Sequence, residues 1–393
     1  MAQVVHSIAP DAKICFYATG SVFRLVEKLG DVNGPCRADI IVDDLVVQYF
    51  PPFEDARSER AIDTFTKNGG LYFPAASNQG GRAFRSLLNF VPAIDGSVPS
   101  ILKRVSDVQR WHRFADGSFF KRIPSRINKS DVAMLYWNEP KGMVRTAAHL
   151  FMYAADFSRL GRSIGDAIYN GLPFQRFTYT SPTSVIYVAV GAARQLPPYK
   201  FGAPPLIGYI VAGSDTQSPG AAMRGHPSAD TAITTAAFKW DMPSTVASYS
   251  TWGPALRYWS INSEKAFAAN AAITGGSVWR YESNATVLST NGIVRRKPEL
   301  GGADCLTTSH RAFGRFCGTS CAAPSLASIV ALLKEMFPCL TRDLLLRLVI
   351  DESETPVRWD QQAGYGLIKG DLLMTRLENL IRLGRVPSCI DRS

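Results

Sequence analysis

No apolar run in this sequence approaches the roughly 20 residues needed to cross a bilayer, so no membrane span is expected. The N-terminus lacks the basic start and apolar core of a signal peptide, so no secretion signal is visible and the compartment stays open. C-x-x-C pairs are absent too. The seven cysteines, at 15, 36, 305, 317, 321, 339 and 389, are odd in number and widely spaced, which demands no disulfide framework. Cys317, Cys321 and His310 are scattered ligands rather than a metal site, and buried thiols are the expectation. Acidic residues are in the minority, 33 against 43 Lys and Arg, which leaves a net charge of +10. The basic excess is dispersed. Arg295-Arg296-Lys297 is its one tight cluster and no nucleic-acid motif accompanies it, so a solvated face is expected and no nucleic-acid partner.

What is present describes a globular chain. Its 393 residues, 46% of them hydrophobic, suffice for one large domain with an insertion or for two domains. Residues 2–9 look like the end of a helix stopped by Pro10. Strands are predicted at Lys13 to Ala18, Ala38 to Asp44 and Leu71 to Ala76, with helices at Val22 to Leu29 and Ser58 to Lys67 between them. Near-continuous apolar strands alternating with helices over short connections predict a parallel sheet covered on both faces. Ligands bind such sheets beyond the carboxyl ends of the strands. From about residue 95 to 225 the period changes to two, as in Val132 to Trp137 and Ser184 to Val190, with Gly161, Gly165, Gly171, Pro197 and Pro198 as punctuation. A β-sandwich insertion is expected there, with Tyr136 and Trp137 as core aromatics.

The chain turns on Gly318-Thr319-Ser320-Cys321-Ala322-Ala323-Pro324, which opens an apolar helical run. A hydroxyl at a helix start stands where orphan amides and the positive end of the helix dipole converge. That position suits a nucleophile, and equally an ordinary N-cap. The whole string resembles the nucleophile motif of the subtilisin-like serine peptidases, the subtilases. Four further segments resemble the same family in the same order: Ala75-Ala76-Ser77-Asn78-Gln79-Gly80, Ser250-Thr251-Trp252-Gly253-Pro254, Lys297-Pro298-Glu299-Leu300 and Gly364-Tyr365-Gly366-Leu367.

The resemblance implies an α/β fold, a subtilisin-like parallel sheet with helices on both faces, incomplete at the N-terminus, with an inserted β-sandwich-like domain. It divides the chain into 1–94 and 226–380 as the two parts of the peptidase-like domain, 95–225 as the insertion and 381–393 as a tail. It also implies Ser320 as nucleophile, Asn78 and the Ser320 backbone N–H as oxyanion-hole donors, and Asp43, Asp44, Leu45, Ala75, Ala76 and Ser77 bordering the pocket for the substrate side chain. Ser77 stands where many members carry Gly, which is expected to narrow that pocket. No cofactor is implied. The family allows a structural calcium ion, for which the sequence shows no site.

A serine hydroxyl needs an adjacent base, and that base a third group to orient it. The family's Asp-Thr/Ser-Gly and His-Gly-Thr motifs are missing, and the first ten residues resemble the stretch just after the histidine. The sequence therefore supports a serine endopeptidase that hydrolyses peptide or protein substrates but is truncated and inactive as given. Two alternatives are a pseudo-peptidase that binds peptides or a protein partner, and a β-sandwich binding module on a peptidase remnant. A partner chain completing the fold is a further expectation.

Overall fold

The computed structural model describes residues 1–45, 52–81, 83–197, 204–211, 222–268, 279–350 and 358–386. Cys389 and most of the 381–393 tail lie outside the described residues. Two parallel pairs form the base on which the nucleophile motif sits. Ile40–Asp43 pairs with Leu71–Pro74, and Thr235–Lys239 with Leu300–Asp304. A parallel bridge from Ala75 to Thr235 joins the pairs, and another from Gly301 to Leu367 extends the series.

Every residue of Leu71–Pro74 is buried, because helices cover both faces. Leu71 and Phe73 face one core with Leu326, Val330 and Leu333 of the helix Thr319–Met336, whereas Tyr72 faces the other with Val22, Leu25, Ile62 and Phe65. That second core comes from the amphipathic helices Val22–Leu29 and Arg57–Lys67. Burial of nearly all residues from Thr319 to Ser328 explains the unbroken apolar run that opens the first helix. Gly302 permits the close approach, since a Cβ there would lie 2.0 Å from the Ala322 carbonyl oxygen.

Two antiparallel sheets follow. One joins Arg159–Arg162, Thr146–Tyr153, Val185–Gln195, Arg110–Arg113 and Asn89–Pro92, with Lys121–Pro124 on the side; the other joins Phe174–Thr180, Ser130–Trp137, Ile207–Val211 and Ala83–Leu87. Alternate residues from both, including Ala133, Leu135, Trp137, Leu150, Met152, Ile186 and Val188, close a shared core. Met134 and Tyr136, on the opposite face, pack instead with Phe53, Tyr258 and Trp259. The central strand is therefore buried on both faces, and Tyr136 and Trp137 are fully enclosed. These sheets take in residues from Ala83 onward rather than from 95, because Ala83–Leu87 pairs with Ile207–Val211.

Two expectations are corrected. Lys13 to Ala18 forms no strand, because no described strand pairs with it, and Phe16 is 89% exposed. The thiols are not mostly free: Cys15 pairs with Cys36 and Cys305 with Cys317, while Cys321 is free and buried. Spacing in sequence concealed both pairs because the fold brings their ends together.

Candidate active site

Two loops meet at the carboxyl ends of the parallel strands. The first follows Leu71–Pro74. Ser77 there has φ of 74°, the left-handed region that favours glycine, which is the physical reason a glycine suits the position. Its carbonyl accepts hydrogen bonds from the Thr251 N–H at 3.1 Å and the Thr251 hydroxyl at 2.7 Å, and Thr251 Oγ1 accepts from the Gln79 N–H at 2.9 Å. Gly80 is tied to the same segment through Tyr249 and Trp252. Asn78 is thus held at the exposed crest of a loop braced on both sides.

The second loop opens the long helix. Gly318 has φ of 113° and is the N-cap. Its N–H donates to Asp304 Oδ1 at 2.7 Å, an oxygen that also accepts the Cys305 N–H at 2.6 Å, while the Tyr249 hydroxyl donates to Oδ2. Asp304 is fully buried, so this carboxylate ties the end of one strand to the turn before Ser320. Burial first, and then the hydrogen bond to Asp304, push the Tyr249 hydroxyl far above its ordinary pKa. The Cys305–Cys317 disulfide closes the intervening loop. Asp304, Cys305 and Cys317 present heteroatoms within 4.8 Å of one another. The sulfurs are spent in the disulfide and the carboxylate on three donors, so the cluster does not fit a metal ion.

Asn78 and Ser320 come together across Gly318. Asn78 Oδ1 accepts the Thr319 N–H at 3.0 Å and the Thr319 hydroxyl at 3.1 Å. A Cβ on Gly318 would lie 3.0 Å from Asn78 Nδ2 and 3.6 Å from Ser320 Oγ, so the bare glycine keeps the space between amide and hydroxyl open. The Gly318 carbonyl takes the N–H groups of Cys321 and Ala322. Among the described residues the Ser320 N–H has no acceptor and Nδ2 has none, leaving two donors beside a half-buried hydroxyl. Donors so placed can stabilise an oxyanion formed on attack by Ser320.

Of the six residues expected to border the substrate pocket, the structure separates Asp43 from the rest. Its carboxylate is buried and hydrogen-bonded by the Tyr72 hydroxyl, by His226 Nε2 at 3.0 Å and by the Leu45 N–H at 2.9 Å. Burial would raise its pKa, but the charge and hydrogen bond of His226, with the other two donors, bring it below the usual carboxylate range. Asp44, the next residue, is exposed. Ala75 and Ala76 are buried, while Leu45 and Ser77 are half-buried.

Sequence reasoning missed the roles of Asp304, Tyr249 and Thr251: Thr251 lies in the quoted segment Ser250 to Pro254 without a role being read for it, and no pattern in the sequence singles out Asp304 or Tyr249. None of the histidines is hydrogen-bonded to Ser320 among the described residues: His226 serves Asp43, His310 accepts the Ala312 N–H and His112 the Asn89 N–H.

Residues 178–366, just under half of the chain, match the model of the subtilase family. The match takes in Ser320, Asp304 and Tyr249 and leaves Asn78 and Asp44 upstream of it. No curated protein matches the chain. Among solved structures, a cycloisomaltooligosaccharide glucanotransferase from Paenibacillus sp., complexed with cycloisomaltoheptaose, is 11% identical, with 47% of this chain and 26% of that one covered. The chain thus spans about a quarter of that protein, and at a TM-score of 0.16 the likeness carries no argument. No helix among the described residues is long and apolar enough to cross a membrane.

Proposed function

We propose that this chain is subtilase-like, holds the nucleophile and oxyanion part of a serine endopeptidase site and binds a peptide or protein segment across the carboxyl ends of its parallel strands. The subtilisin-like sheet, with the antiparallel sheets as an inserted β-sandwich, is the scaffold of this reading. Acyl transfer uses Ser320 Oγ as nucleophile, with Asn78 Nδ2 and the Ser320 N–H as donors to the oxygen that becomes negative. Asp44, Leu45, Ala75, Ala76 and Ser77 border the substrate, and Asp43 acts from behind by fixing the turn. The observation that carries the reading is the meeting of Asn78 with Ser320 across Gly318. The chemistry needs side chains and backbone donors alone, without a cofactor. The disulfides favour an oxidising compartment.

A second reading, peptide binding without turnover, is favoured by one observation: no imidazole is hydrogen-bonded to Ser320 among the described residues. A peptidyl boronate, which forms a tetrahedral adduct with a serine hydroxyl, tests the site without requiring turnover. Tight binding by the protein and weak binding by Ser320→Ala is expected. Equal binding by both contradicts Ser320 as nucleophile.

A further inference from the structure

The turn before Ser320 is held at two points, by a buried carboxylate and by a covalent bridge. Asp304 Oδ1 accepts the Gly318 N–H at 2.7 Å, and the Cys305–Cys317 disulfide ties the residue after Asp304 to the residue before Gly318. That bridge closes a small hairpin. Leu306 pairs with Phe316 and Thr307 with Arg315 in antiparallel register, so Cys305 and Cys317 stand opposite one another at its base. The ladder is two pairs long, too short to be stable by itself. Cys305 has φ of 60°, in the left-handed region that a residue with a side chain keeps only where its surroundings hold it. The bridge is also within reach of a reagent. Cys317 is exposed, and against Cys305 lies a cavity of about 230 Å³ whose walls include Lys239, Met242, Tyr249, Asp304 and Arg315. Cys305 Sγ stands 4.0 Å from the Tyr249 hydroxyl, on the same side.

We propose that the Cys305–Cys317 bridge is a thiol-cleavable latch on the nucleophile turn, and that the cavity against Cys305 is the site from which a small-molecule thiol opens it. The consequence for Ser320 rests on the acyl-transfer reading above; the latch itself does not. A thiolate in the cavity attacks Cys305 Sγ, the S–S bond breaks, and its electron pair leaves on Cys317 Sγ, which takes a proton from water at the surface. A second thiolate attacks the sulfur of the attached thiol. The small-molecule disulfide departs, and Cys305 Sγ takes a proton from water. Two thiols supply the two electrons, and the two protons they lose to water balance the two that the cysteines gain.

Exposed and strained bridges are the ones that thiols open first, and this one is exposed at Cys317 and sits on a strained backbone at Cys305. Its opening acts on the site through Asp304. With the bridge intact, Oδ1 holds both the Cys305 N–H at 2.6 Å and the Gly318 N–H. Once it is cut, Cys305 is free to leave the left-handed region and Cys317 to swing away, and Gly318 goes with Cys317. Gly318 is the residue across which Asn78 Nδ2 and Ser320 Oγ meet, so its departure parts the oxyanion donors from the nucleophile. In an oxidising compartment the latch is shut and the site assembled; thiols disassemble it.

Treating the whole chain with reduced glutathione, then alkylating and mapping the cysteine peptides, tests the assignment and reads the Cys15–Cys36 bridge separately. Cys305 and Cys317 are expected to become alkylated while circular dichroism stays that of the folded chain. Hydrogen exchange at Gly318 should then rise, peptidyl boronate binding should weaken by about a hundredfold, as for loss of one oxyanion donor, and oxidised glutathione should reverse both. Cys305→Ser with Cys317→Ser should match the reduced form and ignore the thiol. A bridge that resists glutathione until the chain unfolds overturns the proposal, as does a bridge that opens with exchange at Gly318 unchanged. Equally fast opening by a thiol carried on a bulky polymer overturns the cavity as the route. Raised exchange with equal boronate affinity in both forms overturns the latch as a control on Ser320. Raised exchange with boronate bound by neither form keeps the latch and rejects the acyl-transfer reading.

Discussion

Replacing Asp304 tests how the nucleophile turn is held. Its carboxylate is fully buried and accepts the Gly318 and Cys305 N–H groups at 2.7 and 2.6 Å, together with the Tyr249 hydroxyl. Asp304→Ala leaves all three donors without this acceptor. An unsatisfied buried donor costs about 1–3 kcal/mol, and the two N–H groups alone place the loss at about 2–6 kcal/mol. Asp304→Asn keeps an oxygen for both N–H groups and can donate to the Tyr249 oxygen, so its loss should be about 1 kcal/mol. Urea unfolding measures the global change, and hydrogen exchange on a peptide spanning Gly318 to Cys321 measures the local one. Exchange at Gly318 should rise strongly in Asp304→Ala and little in Asp304→Asn. If both variants unfold like the parent and exchange at Gly318 is unchanged, Asp304 does not hold the turn.

Two further perturbations follow from the same structure. Opening the Cys305–Cys317 bridge, whose cysteines are 12 residues apart, by Cys305→Ser with Cys317→Ser should cost about 3 kcal/mol of loop-closure entropy. Urea midpoints with and without reductant measure this, and a midpoint unchanged by both substitutions would show that the bridge adds no stability. His112 is fully buried and accepts the Asn89 N–H on Nδ1 at 3.1 Å; burial lowers its pKa from 6.5 to about 4. The unfolded chain therefore binds a proton that the folded chain refuses, so stability is lost as pH falls from about 6.5 toward 4, by about 3 kcal/mol. Urea midpoints against pH should show this slope in the parent and not in His112→Gln, and equal slopes would contradict it.

The sequence made the ends of the site legible and left the middle hidden. Gly318 to Pro324 and Ala75 to Gly80 were readable because each is a contiguous string bound to backbone geometry: a left-handed Gly318, a left-handed Ser77, an apolar helix. The helices Val22–Leu29 and Arg57–Lys67 followed from their periodicity. What joins the two loops was not readable. Asp304 reaches Gly318 across 14 residues, and Thr251 reaches Ser77 across 174, and neither contact leaves a local pattern. Asp43 and Asp44 show the same limit. As adjacent acidic residues they looked alike, yet strand alternation sends one to His226 in the core and leaves the other exposed. Lys13 to Ala18 failed for a related reason, since an apolar stretch becomes a strand only where another edge meets it.

The account centres on Asn78 and Ser320 acting together on one oxygen. The most direct test is the dissociation constant of the peptidyl boronate for Asn78→Ala beside the parent. Loss of one oxyanion donor costs about 2.7–4 kcal/mol, which predicts binding weaker by about 10²–10³-fold, with the fold retained by melting temperature. Affinity within about threefold of the parent, a difference under about 1 kcal/mol, would contradict the shared site.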